Sequence, residues 1–142
     1  MASFFEFTKI IILYRGMEAD ETAHTKRQGH MINKKGRFVM FPIETISAKM
    51  LDYYVGRSDA LIIDLRDAGS YNKSHVKGAV NVPYGELEGE YDFPKEKLLV
   101  FYCDRGGASM AAARDFVRRG YRTRSVIGGF AAYRGRNLVI SR

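Results

Sequence analysis

Cys103, the sole cysteine of the 142-residue chain, stands where a thiol could act as a nucleophile. It follows the apolar run Leu98-Leu99-Val100-Phe101-Tyr102 and opens a short glycine-containing loop from Cys103 to Ala108, after which the pattern turns helical at Ser109. A thiolate is a far better nucleophile than a thiol, and it needs positive potential nearby to exist at neutral pH. Successive backbone N–H groups from Asp104 to Ser109 can curl around the sulfur, and the helix start adds the positive end of its dipole. Gly106 and Gly107 permit the backbone angles of such a cradle and leave space for a ligand above it. Arg105 brings a full charge to the sulfur or to an anionic donor, whereas Asp104 opposes it if it faces the pocket. Plainer readings stand beside these: a buried small hydrophobe for Cys103, a solvent-facing Arg105 and an ordinary turn for the glycines. Strand, tight loop and helix start in succession favour the reactive reading of the loop as a unit, because open α/β folds build their sites at that carboxyl edge.

Such a loop needs a sheet to carry it. From about Arg37 short apolar runs alternate with helix-like segments, the pattern of βα units around a mostly parallel sheet. Phe38 to Phe41 reads as an edge strand ended by Pro42, and Ser47 as the N-cap of a helix through Met50, Leu51 and Tyr54. Leu61 to Leu65 is apolar on both faces, as a buried parallel strand is, with Asp64 where the carboxyl end should emerge. A short helix over Ala68 to Ser74, a strand over Ala79 to Val82 and an acidic, loop-like stretch from Tyr84 to Pro94 follow. The helix after the cysteine loop is expected to run to about Arg119, with Met110, Ala113, Phe116 and Val117 on one face and Gly120 at its end. A strand near Arg124 to Ile127, Gly128-Gly129, a small helix near Phe130 to Tyr133 and the apolar tail Leu138-Val139-Ile140 complete the domain.

Residues 1–37 differ from the rest: an apolar start, then a polar, glycine-dotted run without sustained periodicity, read as a flexible N-terminal extension ahead of a domain over 38–142. Met17 and Met31 leave room for a later functional start. The best membrane candidate, FFEFTKIIILY, is broken by Glu6 and Lys9 and falls short of the roughly 18 to 20 apolar residues that a span needs. It lacks a basic start and a small-residue cleavage site, so the protein reads as cytoplasmic, with no membrane partner. With 46% hydrophobic and 27% charged residues, the chain suits one globular domain. A single cysteine excludes an internal disulfide and any multi-cysteine zinc site. A net charge of +7 favours anionic partners. The basic residues are spread along the chain without interleaved aromatics, so no nucleic acid is expected as a partner.

Three ordered motifs resemble the rhodanese homology domain over about Phe41 to Tyr133. The segment LIIDLRDAGSYNKSHVKGAVNVP is similar to the family's first signature, with Asp64, Arg66, Tyr71, His75, Gly78, Ala79, Asn81 and Pro83 on its positions. VFYCDRGGASMAAARDFVRRGY resembles the second, an active-site cysteine in a six-residue loop with glycine in fourth place. VIGGFAAY resembles the Gly-Gly-x-x-x-aromatic ending, with Tyr133 where tryptophan is usual. The resemblance implies an α/β fold with a parallel five-stranded sheet flanked by helices on both sides, and transfer of a sulfane sulfur through a persulfide on Cys103. The amides of Asp104, Arg105, Gly106, Gly107, Ala108 and Ser109 would stabilise the anion, while Asp64, Arg66 and His75 would brace the fold beneath it. No cofactor is implied, and His24 and His30 offer His75 no metal-ligand cluster.

Departures from the pattern bear on the substrate. Many members carry a basic residue after the cysteine, and single-domain members often have arginine in the sixth loop position; here Asp104 and Ala108 stand there. An acidic residue beside the sulfur opposes a dianion such as thiosulfate by about 1 kcal/mol in a solvated setting. The expected donor is therefore a small-molecule or protein persulfide. With no second cysteine, an external thiol must accept the sulfur. Cysteine-based phosphatases resemble C-x5-R, with a loop one residue longer and an arginine that clamps phosphate; here the sixth residue after Cys103 is Ser109. The alternatives are a non-catalytic interaction module, for which Arg114 and Arg118 would share a helix face, and an arsenate reductase using an external reductant.

Overall fold

The computed structural model of the chain describes residues 30–32, 35, 36, 38–40, 43–87 and 91–141. The apolar start, most of the expected extension, Pro42 and the middle of the acidic stretch at 88–90 lie outside the described residues. Strands β1 (His30–Ile32) and β2 (Phe38–Met40) form an antiparallel hairpin, so β2 pairs with β1 and not with the edge of the main sheet, where the sequence reading put it. The strand β1 lies inside the run expected to be a flexible extension, which is too short and polar there to show periodicity.

The main sheet holds β3 (Thr45–Ser47), β4 (Ala60–Asp64), β6 (Val80–Asn81), β7 (Leu98–Tyr102) and β8 (Thr123–Ile127) in the order β3-β8-β7-β4-β6, every neighbouring pair parallel. The α-helices among the described residues are α1 (Leu51–Tyr54), α2 (Ala68–Lys73) and α3 (Gly107–Arg118), with 3₁₀ turns at Ala48–Met50, Tyr84–Leu87 and Phe130–Ala132. Ser47 does occupy an N-cap, of the 3₁₀ turn ahead of α1, but its side chain makes no capping bond. The apolar runs of β4 and β7 work on both faces because side chains alternate along a strand. Ile63, Leu99, Phe101 and Cys103 join one core cluster with Ala112, Ala113 and Phe116 of α3. Ile62, Val100 and Tyr102 join the other, with Leu51 and Tyr54 of α1.

Helix α3 begins at Gly107, two residues earlier than its sequence pattern suggested, because Gly106 takes the N-cap position. Its inward face is Ser109, Ala112, Ala113 and Phe116; Met110 and Val117, expected inside, are half-buried at its flanks. Phe116 is fully buried with ring centroids 5.4 Å from Phe93, 5.4 Å from Phe101 and 5.3 Å from Tyr121. The helix stops as expected: Gly120 N–H donates to Val117 O and Tyr121 N–H to Phe116 O, the paired bonds of a Schellman end. Arg114 is exposed and Arg118 half-buried, four residues apart on α3.

The tail Leu138–Ile140 forms β9, antiparallel to β5 (Ser74–Val76). Ahead of it, the Tyr133 hydroxyl donates to Asp52 of α1 and accepts from Asn137 N–H at 3.1 Å, while Asn137 Nδ2 donates to Asp52 at 2.9 Å. Burial, then the adjacent Asp52 carboxylate, pushes the Tyr133 phenol up to about 12 from 10.0. A phenol whose folded pKa is raised contributes stability that is complete below its unfolded pKa and is lost as pH climbs from about 10 to about 12. Tyr133→Phe should therefore unfold more easily at neutral pH, by about 1 kcal/mol. Its thermal midpoint should also fall less steeply than the native chain's across that alkaline interval.

Candidate active site

Parallel register sets Asp64 beside Tyr102 at the carboxyl ends of β4 and β7, one residue before Cys103. Cys103 is 6% exposed, packed on one side in the α3-face core. Its Sγ accepts the Gly106 N–H at 3.0 Å. Of the amides expected to cradle the sulfur, that of Gly106 is the one bonded to it. The N–H groups of Asp104, Arg105, Gly107 and Ala108 have no acceptor among the described residues. Gly106 turns the chain with φ of 114°, a value L-residues with a side chain rarely adopt, and a Cβ there would lie 3.3 Å from Gly128 N. Asp104 and Arg105 are exposed in the loop, Gly107 is exposed and Ala108 half-buried in the first turn of α3. Ser109 is fully buried, and its hydroxyl donates to Gly106 O at 3.0 Å and meets Ser125 Oγ at 2.9 Å. The Ser109 side chain therefore fastens the loop from behind.

Beneath the loop Asp64, with no exposed surface, pairs with Arg66 at 2.8 Å. Tyr102 donates its hydroxyl to Asp64 at 2.6 Å and accepts Val76 N–H at 3.2 Å. Burial and then Asp64 push the Tyr102 phenol far above its usual range, so it stays a donor. Arg66 also donates to Ser74 O at 2.6 Å and lies 3.8 Å over the Phe130 ring. Burial works against the Arg66 charge, but the hydrogen bonds and charge of Asp64, with smaller contributions from Tyr102 and Asp104, outweigh it and raise its pKa. Asn81 Nδ2 donates to the carbonyls of both Asp64 and Arg66. His75 stands apart from this group. Its Nδ1 donates to Tyr71 O at 2.9 Å and its ring stacks on Tyr71 at 3.8 Å, tying α2 to β5.

Phe130 N–H donates to Cys103 O at 2.7 Å and Ala131 N–H to Asp104 O at 3.0 Å. These two residues, with Ser125 and the Tyr102 hydroxyl, complete the site and were not singled out from sequence. Tyr102 reads there only as an apolar strand residue, and Ser125 as the polar member of an alternating strand. Gly128-Gly129 was the one available signal, since paired glycines after a strand mark a close backbone approach.

A model of the rhodanese-like domain matches residues 47–136, a stretch that contains every one of these groups. The chain belongs to the rhodanese-like domain family. A tRNA sulfurtransferase of Desulfurococcus amylolyticus is 33% identical over 76 residues, 54% of this chain and 15% of that protein. The thiosulfate sulfurtransferase GlpE of Coxiella burnetii is 34% identical over 83 residues, 56% of this chain and 77% of that one. The chain thus spans a small part of the first relative and most of the second. A rhodanese-like domain protein of Staphylococcus aureus superposes with a TM-score of 0.61 at 19% identity, covering 70% of this chain and 100% of that one, a likeness of fold. Both of these relatives of the domain are named sulfurtransferases. No helix among the described residues is long and apolar enough to cross a membrane.

Proposed function

We propose that this rhodanese-like domain is a sulfurtransferase that carries one sulfane sulfur as a persulfide on Cys103. The observation that carries the reading is the loop itself: one N–H on Sγ at 3.0 Å, and neighbouring N–H groups of Asp104, Arg105, Gly107 and Ala108 without acceptors among the described residues. Unclaimed amides at a helix start suit an added anionic sulfur, which is larger than the thiolate and reaches further into the loop.

The Cys103 thiolate attacks the outer sulfur of a donor persulfide; the new S–S bond forms on Cys103 as the donor's S–S bond breaks, and the donor leaves as a thiolate. In the second half an external thiolate attacks the outer sulfur now on Cys103 and restores the Cys103 thiolate. No net oxidation occurs, and no second cysteine of this chain is needed.

Asp104, next to Cys103 in the chain, is exposed, and a carboxylate about 4 Å from an incoming dianion in water opposes it by about 1 kcal/mol per unit charge. Steady-state transfer from a low-molecular-weight persulfide is therefore expected to exceed transfer from thiosulfate, by roughly fivefold at that energy. Asp104→Asn should narrow the gap, and rates that favour thiosulfate in the native chain would overturn the donor assignment. The carrier itself is tested by intact-mass spectrometry after incubation with a persulfide donor. A one-sulfur adduct is expected, and its absence would leave the fold as an interaction module.

A further inference from the structure

Three carbonyls of the loop are held by groups outside or behind it. Cys103 O, Asp104 O and Gly106 O accept from Phe130 N–H, Ala131 N–H and the Ser109 hydroxyl, and Ser109 in turn leans on Ser125 of β8. In a trans peptide the C=O and N–H point to opposite sides. Drawing Cys103 O and Asp104 O towards the turn at 128–131 therefore turns the N–H of Asp104 and of Arg105 away from it. The approach is close: Gly129 has φ of 59° and ψ of −156°, and a Cβ on it would overlap the carbonyl groups of Cys103 and Asp104. Only glycine lets the turn come near enough for both bonds.

We infer that Ser125, Gly129, Phe130 and Ala131, on β8 and the turn after it, are positioning residues that hold the Cys103 loop with its N–H groups presented to an anion. The inference rests on the sulfur-carrier reading for its purpose, but the geometry has a consequence that does not pass through a persulfide. An oriented set of N–H groups favours an anionic reagent over a neutral one of the same shape.

Alkylation of Cys103 by iodoacetate and by iodoacetamide measures this. Both reagents draw on the same thiolate, so the ratio of their rates cancels the thiolate fraction and reports the potential above the sulfur. Gly129→Ala should push the turn off the loop and lower the iodoacetate-to-iodoacetamide ratio about tenfold, the scale of one hydrogen bond to a charged group. Ser125→Ala, which removes only the outer hydroxyl, should lower it by roughly threefold, a neutral hydrogen bond's worth. Gly85→Ala, at a site with nothing within 4 Å, should leave the ratio unchanged. A natively folded Gly129→Ala chain with the native ratio would overturn the inference. Should that variant not fold, an unchanged ratio in Ser125→Ala would overturn it. So would a native Cys103 that neither reagent reaches. A lowered ratio in a chain that forms no one-sulfur adduct would retain the positioning and reject the persulfide reading.

Discussion

Cys103→Ser is expected to abolish the one-sulfur adduct and to lower sulfur transfer by at least about a thousandfold, roughly 4 kcal/mol of barrier, because the covalent route has no other nucleophile. The test is unusually clean in this chain. With no second cysteine, residual adduct on the variant could not sit on a thiol. The substitution keeps an atom able to accept the Gly106 N–H, but it buries a hydroxyl in an apolar cluster at a position 6% exposed. A loss of about 1–2 kcal/mol of stability should accompany it, far from enough to unfold an ordinary domain. Circular dichroism of the variant should therefore be native while the mass shift is absent. Persistence of the adduct would remove Cys103 from the role proposed for it.

The second large effect lies beneath the sulfur. Arg66→Ala should destabilise the fold by about 3–5 kcal/mol in denaturant unfolding, since it strands the Asp64 carboxylate at a point with no solvent exposure. Tyr102 would still donate to Asp64, which sets the lower end of that range. Arg66→Lys keeps a charge but loses the fork that serves both Asp64 and Ser74 O, so its cost should fall between those of the native chain and the alanine variant. Asp64→Asn combined with Arg66→Ala should recover part of the loss by removing the stranded charge. A single-variant cost below about 1 kcal/mol would mean that the pair is not needed in the way its burial suggests. Because Arg66 also lies over Phe130, whose N–H holds Cys103 O, the variants that survive should show slower sulfur transfer.

Much of this architecture is legible in the sequence. Leu98 to Tyr102 is apolar at every position, which only a strand buried on both faces explains, and β7 is the central strand with cores on either side. Gly120 ended the helix where expected because few side chains tolerate the backbone of that position. The start of α3 was less legible. Gly106-Gly107 reads as loop by propensity, yet Gly106 serves as the cap, so the helix reaches two residues closer to the sulfur than its apolar pattern does. Likewise β2 looked like a sheet edge from composition, and composition says nothing of which strand it pairs with.

By itself the sequence determined the candidate thiol, the glycines of the loop that follows it and the parallel sheet beneath, because each follows from local rules: a lone cysteine, glycine spacing and runs of apolar residues. Only the tertiary structure decided which groups face that thiol and which hold its loop from behind. Tyr102 meets Asp64 across 38 positions, Ser125 meets Ser109 across 16, and Phe130 reaches back to Cys103 O. Such contacts are set by strand register and by how closely two turns approach, and neither quantity is encoded in the residues of one segment alone.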